Sequence, residues 1–142
     1  MRITGGKYKG IHLRCPPGII RPAMDRMRES LYAILGPLEG ASFLDLFSGS
    51  GLMSLEAVSR GADRVHAVEK DRKKLKVLME NLKIAEKHCT IRSTSAESFI
   101  ARHKEFYDYI FLDPPFSCSY KNDILQRLIN SCLIKIGSIV LR

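Results

Sequence analysis

The segment best suited to carry out chemistry is Asp113-Pro114-Pro115-Phe116, which follows a strongly apolar run. The carboxylate of Asp113 and the carbonyl of Pro114 are two acceptors that could hold the two N–H bonds of an exocyclic amine. The prolines fix φ and remove backbone donors that would compete for the site. Phe116 offers a ring on which an extruded base can stack. The segment therefore predicts a site that holds a nucleobase amine, with catalysis mainly by proximity and orientation.

A second polar segment, Asp45-Leu46-Phe47-Ser48-Gly49-Ser50-Gly51, lies between a predicted strand and a predicted helix. Its glycines lack a Cβ atom, so the backbone can approach a ligand closely. Glu69, at the end of the next predicted strand, is placed to accept hydrogen bonds from the vicinal hydroxyls of a ribose. Together these residues predict a nucleoside-binding site.

Two classes of nucleoside cofactor fit this pattern. A nicotinamide dinucleotide would place its pyrophosphate at the helix N-terminus, whereas S-adenosylmethionine has no phosphate and needs an acceptor near its ammonium group. The Asp45 carboxylate would repel a pyrophosphate, so it favours the sulfonium cofactor. Two of the predicted site features have simpler interpretations when each is taken singly. Residues 114–115 could form an ordinary Pro-Pro turn, and Glu69 could be a surface carboxylate. Their common position at predicted strand ends disfavours both.

The elements that position these residues alternate regularly along the chain. Strands are predicted at 42–47, 64–69, 90–94, 107–113 and 138–141, and helices at 25–35, 52–60, 71–86, 96–103 and 124–133. This order predicts an α/β fold, a doubly wound, mostly parallel Rossmann-like sheet whose ligands bind beyond the carboxyl ends of the strands. The apolar faces of the helices at 25–35 and 71–86 are expected to be Met27, Leu31, Ile34 and Leu35, and Leu75, Leu78, Met79 and Leu82, with Asp71 as an N-cap.

The chain has 142 residues and a net charge of +8. We divide it into a basic hairpin and helix extension at 1–38 and a cofactor-binding core at 39–142. Residues 1–31 carry seven Lys and Arg against two acids, which favours contact with a polyanion. The second basic run, on the helix at 71–86, is interpreted as a solvated helix face. The predicted RNA contacts are Lys7, Lys9, Arg21, Arg26 and Arg28.

Other classes of site receive little support. The four cysteines, at 15, 89, 118 and 132, have no spacing typical of a zinc site or a redox pair, and no metal site is predicted. No apolar run has the length of a membrane span, and the N-terminus lacks an apolar signal core. We expect a cytoplasmic monomer.

At these motifs the sequence resembles the bacterial 16S ribosomal RNA guanine-N2 methyltransferases of the RsmD type. The resemblance covers essentially the whole chain. The Gly-rich and Asp-Pro-Pro-Phe motifs are typical of amino-methyltransferases in general, whereas the basic N-terminal arm at 2–10 and the run Ser59-Arg60-Gly61-Ala62 are more specific to this family. The matching segments are 2–10, Arg21-Pro22, 26–29, 45–51, 55–57, 59–62, 68–71 and 111–116.

The resemblance implies S-adenosylmethionine as cofactor, the N2 amine of a guanine in 16S ribosomal RNA as substrate, and contact of the basic arm with RNA or the assembling small subunit. It implies that the adenine edge is held at Ser95 and Ala96. The implied catalytic residues are Asp113, Pro114, Pro115 and Phe116, and the implied cofactor-binding residues are Asp45, Phe47, Ser48, Gly49, Gly51, Glu69, Lys70, Ser95 and Ala96.

The sequence departs from the family pattern in three places. Ala23 stands where the family usually has Thr, and Ser95 where it usually has Asp. The family fold continues past the fifth strand into a further helix and a strand hairpin, so the usual seven-stranded sheet is expected to be truncated here.

Three alternatives stay open at this point. An adenine-N6 methyltransferase acting on DNA or RNA, or a protein-glutamine methyltransferase, would use the same Asp-Pro-Pro-Phe chemistry. A non-catalytic RNA-binding member of the fold would keep the architecture alone. A nicotinamide-dependent oxidoreductase needs only the Gly-rich turn and Glu69, and it leaves the segment at 113–116 and the basic arm unexplained.

Overall fold

The computed structural model describes residues 1–17, 24–115, 119, 121–135 and 137–141. The alternation of strands and helices predicted from the sequence is present, although most elements are shorter than predicted. A 3₁₀ turn at Lys83–Ala85 ends the third helix. In chain order the elements are α1 (Met24–Leu35), β1 (Ser42–Asp45), α2 (Leu52–Ser59), β2 (Arg64–Val68), α3 (Arg72–Leu82), β3 (Cys89–Arg92), α4 (Ala96–Arg102), β4 (Tyr109–Phe111), α5 (Lys121–Ile129) and β5 (Ile139–Leu141).

The five described strands form one parallel sheet in the order β3-β2-β1-β4-β5. The chain moves outward from β1 through β2 to β3, then returns to the other side of β1 for β4 and β5. The strand order therefore reverses beside β1, and the crevice for a ligand in such a sheet lies at that point, beyond the carboxyl ends of β1 and β4. The predicted doubly wound Rossmann-like fold is confirmed.

Two apolar cores cover the two faces of the sheet. Side chains of successive strand residues point to opposite faces, so Phe43 of β1 enters one core and Leu44 enters the other. The first core includes Tyr32, Leu55, Leu78 and Leu82 from α1, α2 and α3. The second includes Ile100, Phe99, Ile124 and Leu128 from α4 and α5. Helices on both faces hold the strand ends at a fixed level, which positions the residues that follow them.

The N-terminal segment pairs less extensively than a hairpin of two strands. Its antiparallel pairing is a single bridge between Arg2 and His12, supported by the Ile3 amide donating to the Ile11 carbonyl at 2.9 Å. Gly6 has a φ of 79° and packs so closely that a Cβ atom would stand 1.9 Å from the Ser59 carbonyl oxygen. The segment is therefore an irregular arm that packs against α2.

The buried face of α1 differs from the predicted one. Met27 and Ile34 are 61% and 82% exposed, whereas Arg28 and Tyr32 are 3% and 1% exposed. The helix turns this side inward because an ion-paired arginine and a hydrogen-bonded tyrosine occupy the core positions. On α3, Met79 is likewise exposed. The other three residues of the predicted α3 face lie in or against the first core, so apolar spacing placed α3 correctly and α1 with a rotational error.

Within the described ranges, no helix has the length and apolar character needed to cross a membrane. Among the same residues, no cluster of three or more His, Cys, Asp and Glu side chains could hold a metal ion.

Candidate active site

Three polar or aromatic residues stand at the same level beyond the carboxyl ends of adjacent strands. β1 pairs in register with β2 and β4 as far as Asp45. Two residues further along, beyond the ends of β1, β2 and β4, lie Phe47, Glu69 and Asp113. Neighbouring strands lie about 4.8 Å apart, so the backbones at Glu69 and Asp113 flank β1 with a separation of about 10 Å. The sheet thus gathers the predicted cofactor and amine sites at one edge.

Backbone amides hold the Glu69 carboxylate in place. Its Oε2 accepts a hydrogen bond from the Gly49 amide at 2.9 Å, and its Oε1 accepts one from the Asp71 amide at 2.8 Å. Glu69 is largely buried. Each carboxylate oxygen can accept a further hydrogen bond, so two vicinal hydroxyls of a ribose could still be bound. Asp71 in turn caps α3 by accepting from the Lys73 amide at 2.9 Å, as predicted.

The two glycines of the turn have different surroundings. Gly51 has a φ of 83°, and a Cβ atom there would lie 2.7 Å from Leu78 Cδ1. The left-handed backbone and the close packing against α3 together favour glycine at position 51. Gly49 has a φ of 56°, and a Cβ atom there would meet no atom within 4 Å among the described residues. The space beside Gly49 is open to a ligand.

Asp45 is a buried acid with one unused oxygen. Its Oδ2 accepts from the Ser48 hydroxyl at 3.1 Å and the Ser54 hydroxyl at 2.9 Å. Its Oδ1 is buried and has no hydrogen-bond partner in the described part of the chain. Burial raises the pKa of Asp45 to about 6; the two serines and the Phe47 amide oppose the increase, and the charge of Glu69 adds to it. An ammonium group would supply the missing donor, so the site fits the amino-acid part of S-adenosylmethionine.

Two residues beneath this site were not predicted from the sequence. Ser54 was not among the predicted site residues, yet it is fully buried and helps fix the Asp45 carboxylate. Tyr32 of α1 donates to the Met53 carbonyl at 2.8 Å, and burial raises its pKa well above the ordinary value. The available signal for Ser54 was a serine in the first turn of a buried helix. Nothing in the local sequence indicated the role of Tyr32.

The residues predicted to hold the adenine edge follow β3, beside the end of β2. Ser95 is the N-cap of α4, and its hydroxyl oxygen accepts from the Ser98 amide at 3.1 Å. Its hydroxyl proton remains available to a ligand. Ala96 is buried in the second core, and Lys70 is exposed and directly follows Glu69. The part of these three residues in cofactor binding stays a prediction.

The segment predicted to hold the amine, Asp113 to Phe116, begins two residues after β4. Asp113 and Pro115 are exposed, and Pro114 is buried. The Leu112 amide donates to the Leu141 carbonyl at 2.8 Å, which ties the start of the segment to β5. Phe116 lies outside the described residues, and so does Arg21 among the predicted RNA contacts.

The tip of the basic arm, residues 6–10, lies far from this edge. The Lys7 amide donates to the Ser59 carbonyl at 2.8 Å, and the Tyr8 hydroxyl donates to the Ile84 carbonyl at 3.2 Å. Ser59 ends α2 and Ile84 precedes β3, so both lie toward the amino-terminal end of the sheet. Lys7 and Lys9 are exposed. The structure therefore separates them from the site at the carboxyl ends of the strands.

The two predicted RNA contacts on α1 have opposite surroundings. Arg26 is exposed. Arg28 is buried: its Nη2 pairs with Asp25 Oδ1 at 2.8 Å, its Nε lies 3.5 Å from Glu56 Oε2, and it donates to the Arg2 carbonyl. A guanidinium enclosed in this way is held inside the fold and is not available to RNA. The assignment of Arg28 to RNA binding is corrected accordingly.

Comparison with known proteins agrees with this architecture. Residues 1–142 match the family model described as Conserved hypothetical protein 95. The chain is 37% identical over 134 residues to Ribosomal RNA small subunit methyltransferase D of Escherichia coli (strain K12), covering 92% of this chain and 65% of that protein. It is 31% identical over 149 aligned residues to the protein of the same name from Buchnera aphidicola subsp. Baizongia pistaciae, covering 99% of this chain and 74% of that protein.

A solved structure is also similar over nearly the whole chain. A hypothetical protein from Thermus thermophilus superposes with a TM-score of 0.87 at 30% identity, covering 99% of this chain and 83% of that one. The chain thus spans about two thirds to three quarters of the length of the two curated relatives. With its family model matched from end to end, the chain belongs to the Conserved hypothetical protein 95 family, which is the RsmD-type methyltransferase family that its motifs resemble.

Proposed function

We propose that this chain transfers a methyl group from S-adenosylmethionine to the N2 amine of a guanine in 16S ribosomal RNA. The observation that carries the proposal is the placement of Asp45, Glu69 and Asp113 at or just beyond the ends of three adjacent strands. The names of the Escherichia coli and Buchnera relatives support ribosomal RNA as the substrate. The choice of guanine N2 rests on the resemblance to the RsmD type.

Cofactor binding in this proposal uses fixed groups of the chain. Bound S-adenosylmethionine would supply an electrophilic methyl group on its sulfonium. The unused Oδ1 of Asp45 accepts a hydrogen bond from the ammonium group, and the Glu69 carboxylate accepts from the ribose hydroxyls. Gly49 leaves room for the ligand beside the backbone. Because amides and serines already hold both carboxylates, little reorganisation accompanies binding.

The amine is oriented by the segment after β4. The Asp113 carboxylate and the Pro114 carbonyl accept from the two N–H bonds, which turns the nitrogen lone pair away from the base and toward the methyl donor. Asp113 is exposed, so the proton released by the methylated nitrogen can pass from its carboxylate to solvent. Stacking of the base on Phe116 would fix the plane of the guanine.

A methyl-transfer assay tests the proposal. Tritium from labelled S-adenosylmethionine is followed into small ribosomal subunits that lack the modification, into naked 16S ribosomal RNA and into duplex DNA, and the labelled nucleoside is then identified. N2-methylguanosine in RNA is the expected product. Label found only in DNA, or only as N6-methyladenosine, would refute the proposed substrate.

Two variants sharpen the assay. Asp113→Ala should abolish transfer, whereas Asp63→Ala removes the same charge from an exposed position before β2 and should leave transfer unchanged. Calorimetric titration with S-adenosylmethionine is run in parallel. A wild-type chain with no detectable cofactor binding would favour the non-catalytic RNA-binding alternative.

A further inference from the structure

Six arginines of the described protein form ion pairs with carboxylates: Arg2, Arg14, Arg28, Arg60, Arg64 and Arg127. Exposed cations without such a pair lie at several places on the surface, and α3 with its 3₁₀ extension carries a concentrated set of them. There, four exposed cations have no carboxylate within 4.0 Å in the described ranges, namely Arg72, Lys73, Lys76 and Lys83.

Three of these cations share one side of the helix. Residues advance about 100° per position in an α-helix, so Arg72, Lys76 and Lys83 fall within about 40° of one another. With a rise of about 1.5 Å per residue, Arg72 and Lys76 are about 6 Å apart along the axis, and Arg72 and Lys83 about 16 Å. Leu78 and Leu82 are buried on a different side. The three cations form a stripe along the whole exposed length of α3.

The two ends of the stripe meet the two regions already described. Arg72 directly follows Asp71, whose amide is bound by the Glu69 carboxylate, so the stripe begins beside the cofactor site. Lys83 directly precedes Ile84, whose carbonyl accepts from Tyr8 of the arm tip. The stripe therefore spans the distance between the active-site edge and the arm.

We propose that the Arg72–Lys76–Lys83 stripe is a contact surface for the phosphate backbone of the RNA substrate, running from the active-site edge to the arm tip. The inference rests on the proposed function. An RNA whose guanine lies in the site can reach Lys7 only by passing along the molecule from the carboxyl ends of the strands toward their amino ends. Arg72 and Lys76, about 6 Å apart, lie within a Debye length at physiological salt, about 8 Å, and Lys83 lies about 10 Å further along the axis, so the stripe presents successive positive charges to one polyanion.

The alternative is a solvated helix face that contributes only charge. A matched pair of double variants distinguishes contact with the RNA phosphate backbone from a general effect of net charge. Lys76→Gln/Lys83→Gln removes two charges from the stripe and leaves Arg72, which lies nearest the cofactor site. Arg102→Gln/Lys104→Gln removes two charges from exposed positions at the end of α4, on the opposite face of the sheet.

Binding of each protein to a short fluorescein-labelled single-stranded RNA is measured by anisotropy across a range of salt concentrations. Each phosphate contact contributes about 0.7 to the slope of log K against log salt for single strands. The stripe variant should lose about 1.4 from the slope, which corresponds to about 25-fold weaker binding at about 0.1 M salt relative to a 1 M reference. The control should keep the wild-type slope.

Methyl transfer and calorimetric cofactor titration separate the two proposals. We expect the stripe variant to bind S-adenosylmethionine as the wild type does, with a raised KM for RNA and an unchanged kcat. If the wild type methylates RNA and the two double variants have the same slope and KM, the stripe is not a contact surface, although the proposed function stands. If the wild type neither binds nor methylates RNA, both proposals fail.

Discussion

Replacement of Asp45 by Asn should separate the stability of the fold from its affinity for the cofactor. Asp45 is 1% exposed, and burial raises its pKa from 3.8 to about 6. A shift of about two pKa units corresponds to about 3 kcal/mol between the protonated and ionised forms. The unliganded protein therefore carries about 3 kcal/mol of destabilisation at neutral pH from this one carboxylate.

The pH dependence has a definite sign. The folded state binds the Asp45 proton more tightly than the unfolded state, because the folded pKa is the higher of the two. The free energy of unfolding therefore falls as the pH rises from about 4 to about 6, and the full penalty is present above that range. The amide of the Asp45→Asn variant does not titrate, so its free energy of unfolding does not fall over this pH range.

The amide itself introduces a smaller cost. The oxygen of the new amide can accept from Ser48 and Ser54 as Asp45 Oδ2 does, but its nitrogen then takes the place of an oxygen that has no partner. A buried donor left unsatisfied costs about 1–3 kcal/mol. Asp45→Asn should thus be less stable than the wild type near pH 4 and equally or more stable near pH 7.

Cofactor affinity should change in the opposite direction. The variant loses a charge-assisted hydrogen bond to the ammonium group, about 1.5–3 kcal/mol, which is roughly a 10- to 150-fold weaker Kd at neutral pH. Wild-type affinity should also weaken as the pH falls below about 6, because protonated Asp45 no longer attracts a cation.

Urea unfolding at several pH values, with calorimetric titration of S-adenosylmethionine at each, measures both effects. Asp63→Asn is the control, because its carboxylate is exposed and its loss should leave stability and affinity nearly constant. A difference in unfolding free energy between Asp45→Asn and the wild type that is the same at pH 4 and pH 7 would refute the raised pKa. An unchanged Kd would refute the ammonium contact.

Other substitutions test the remaining parts of the site and its support. Asp113→Ala should eliminate methyl transfer while calorimetric cofactor affinity stays close to wild type; retained turnover would contradict the amine-orienting role. Glu69→Ala should weaken cofactor binding in the same titration, and an unchanged Kd would remove the ribose assignment. Gly51→Ala forces a φ of 83° on alanine and a Cβ contact of 2.7 Å with Leu78, so the urea midpoint should drop by an amount equivalent to about 2–3 kcal/mol. Glu56→Gln removes the carboxylate that Arg28 and Arg60 share and leaves the buried Arg28 paired with Asp25, and it should cost about 3–5 kcal/mol by the same measurement; a loss below about 1 kcal/mol in either variant would contradict the packing described.

The sheet and the site edge were predictable because local pattern determines them. Short apolar runs separated by amphipathic helices permit few arrangements, and right-handed crossovers bring the carboxyl ends of parallel strands to one edge. Asp45, Glu69 and Asp113 each follow an apolar run, so their common edge followed from the sequence. Their hydrogen bonds did not, since the Gly49–Glu69 contact depends on the path of a turn.

The rotation of α1 was not predictable from apolar spacing. The helix buries Arg28 because Glu56, on another element, supplies a carboxylate within 3.5 Å. A buried charge is tolerated only where such a partner exists, and its existence depends on tertiary packing. Met27 and Ile34 are exposed for the same reason: the helix can direct only one side to the core.

The basic character of the arm was predictable from composition, whereas its position in the fold was not. Composition marked the arm as basic, but the direction in which its tip points depends on contacts between residues far apart in sequence, such as Tyr8 with Ile84.

The base of the arm is fixed as well. The Glu56 carboxylate accepts from the Thr4 amide and pairs with Arg60 and Arg28, which joins the arm, α1 and α2 around one buried charge. An arm held in this way loses little conformational freedom when it meets a polyanion, and prior ordering of this kind increases affinity. The same rigidity keeps its tip away from the active-site edge, so the basic residues that guide RNA into the site must include others, and α3 supplies exposed cations between the two.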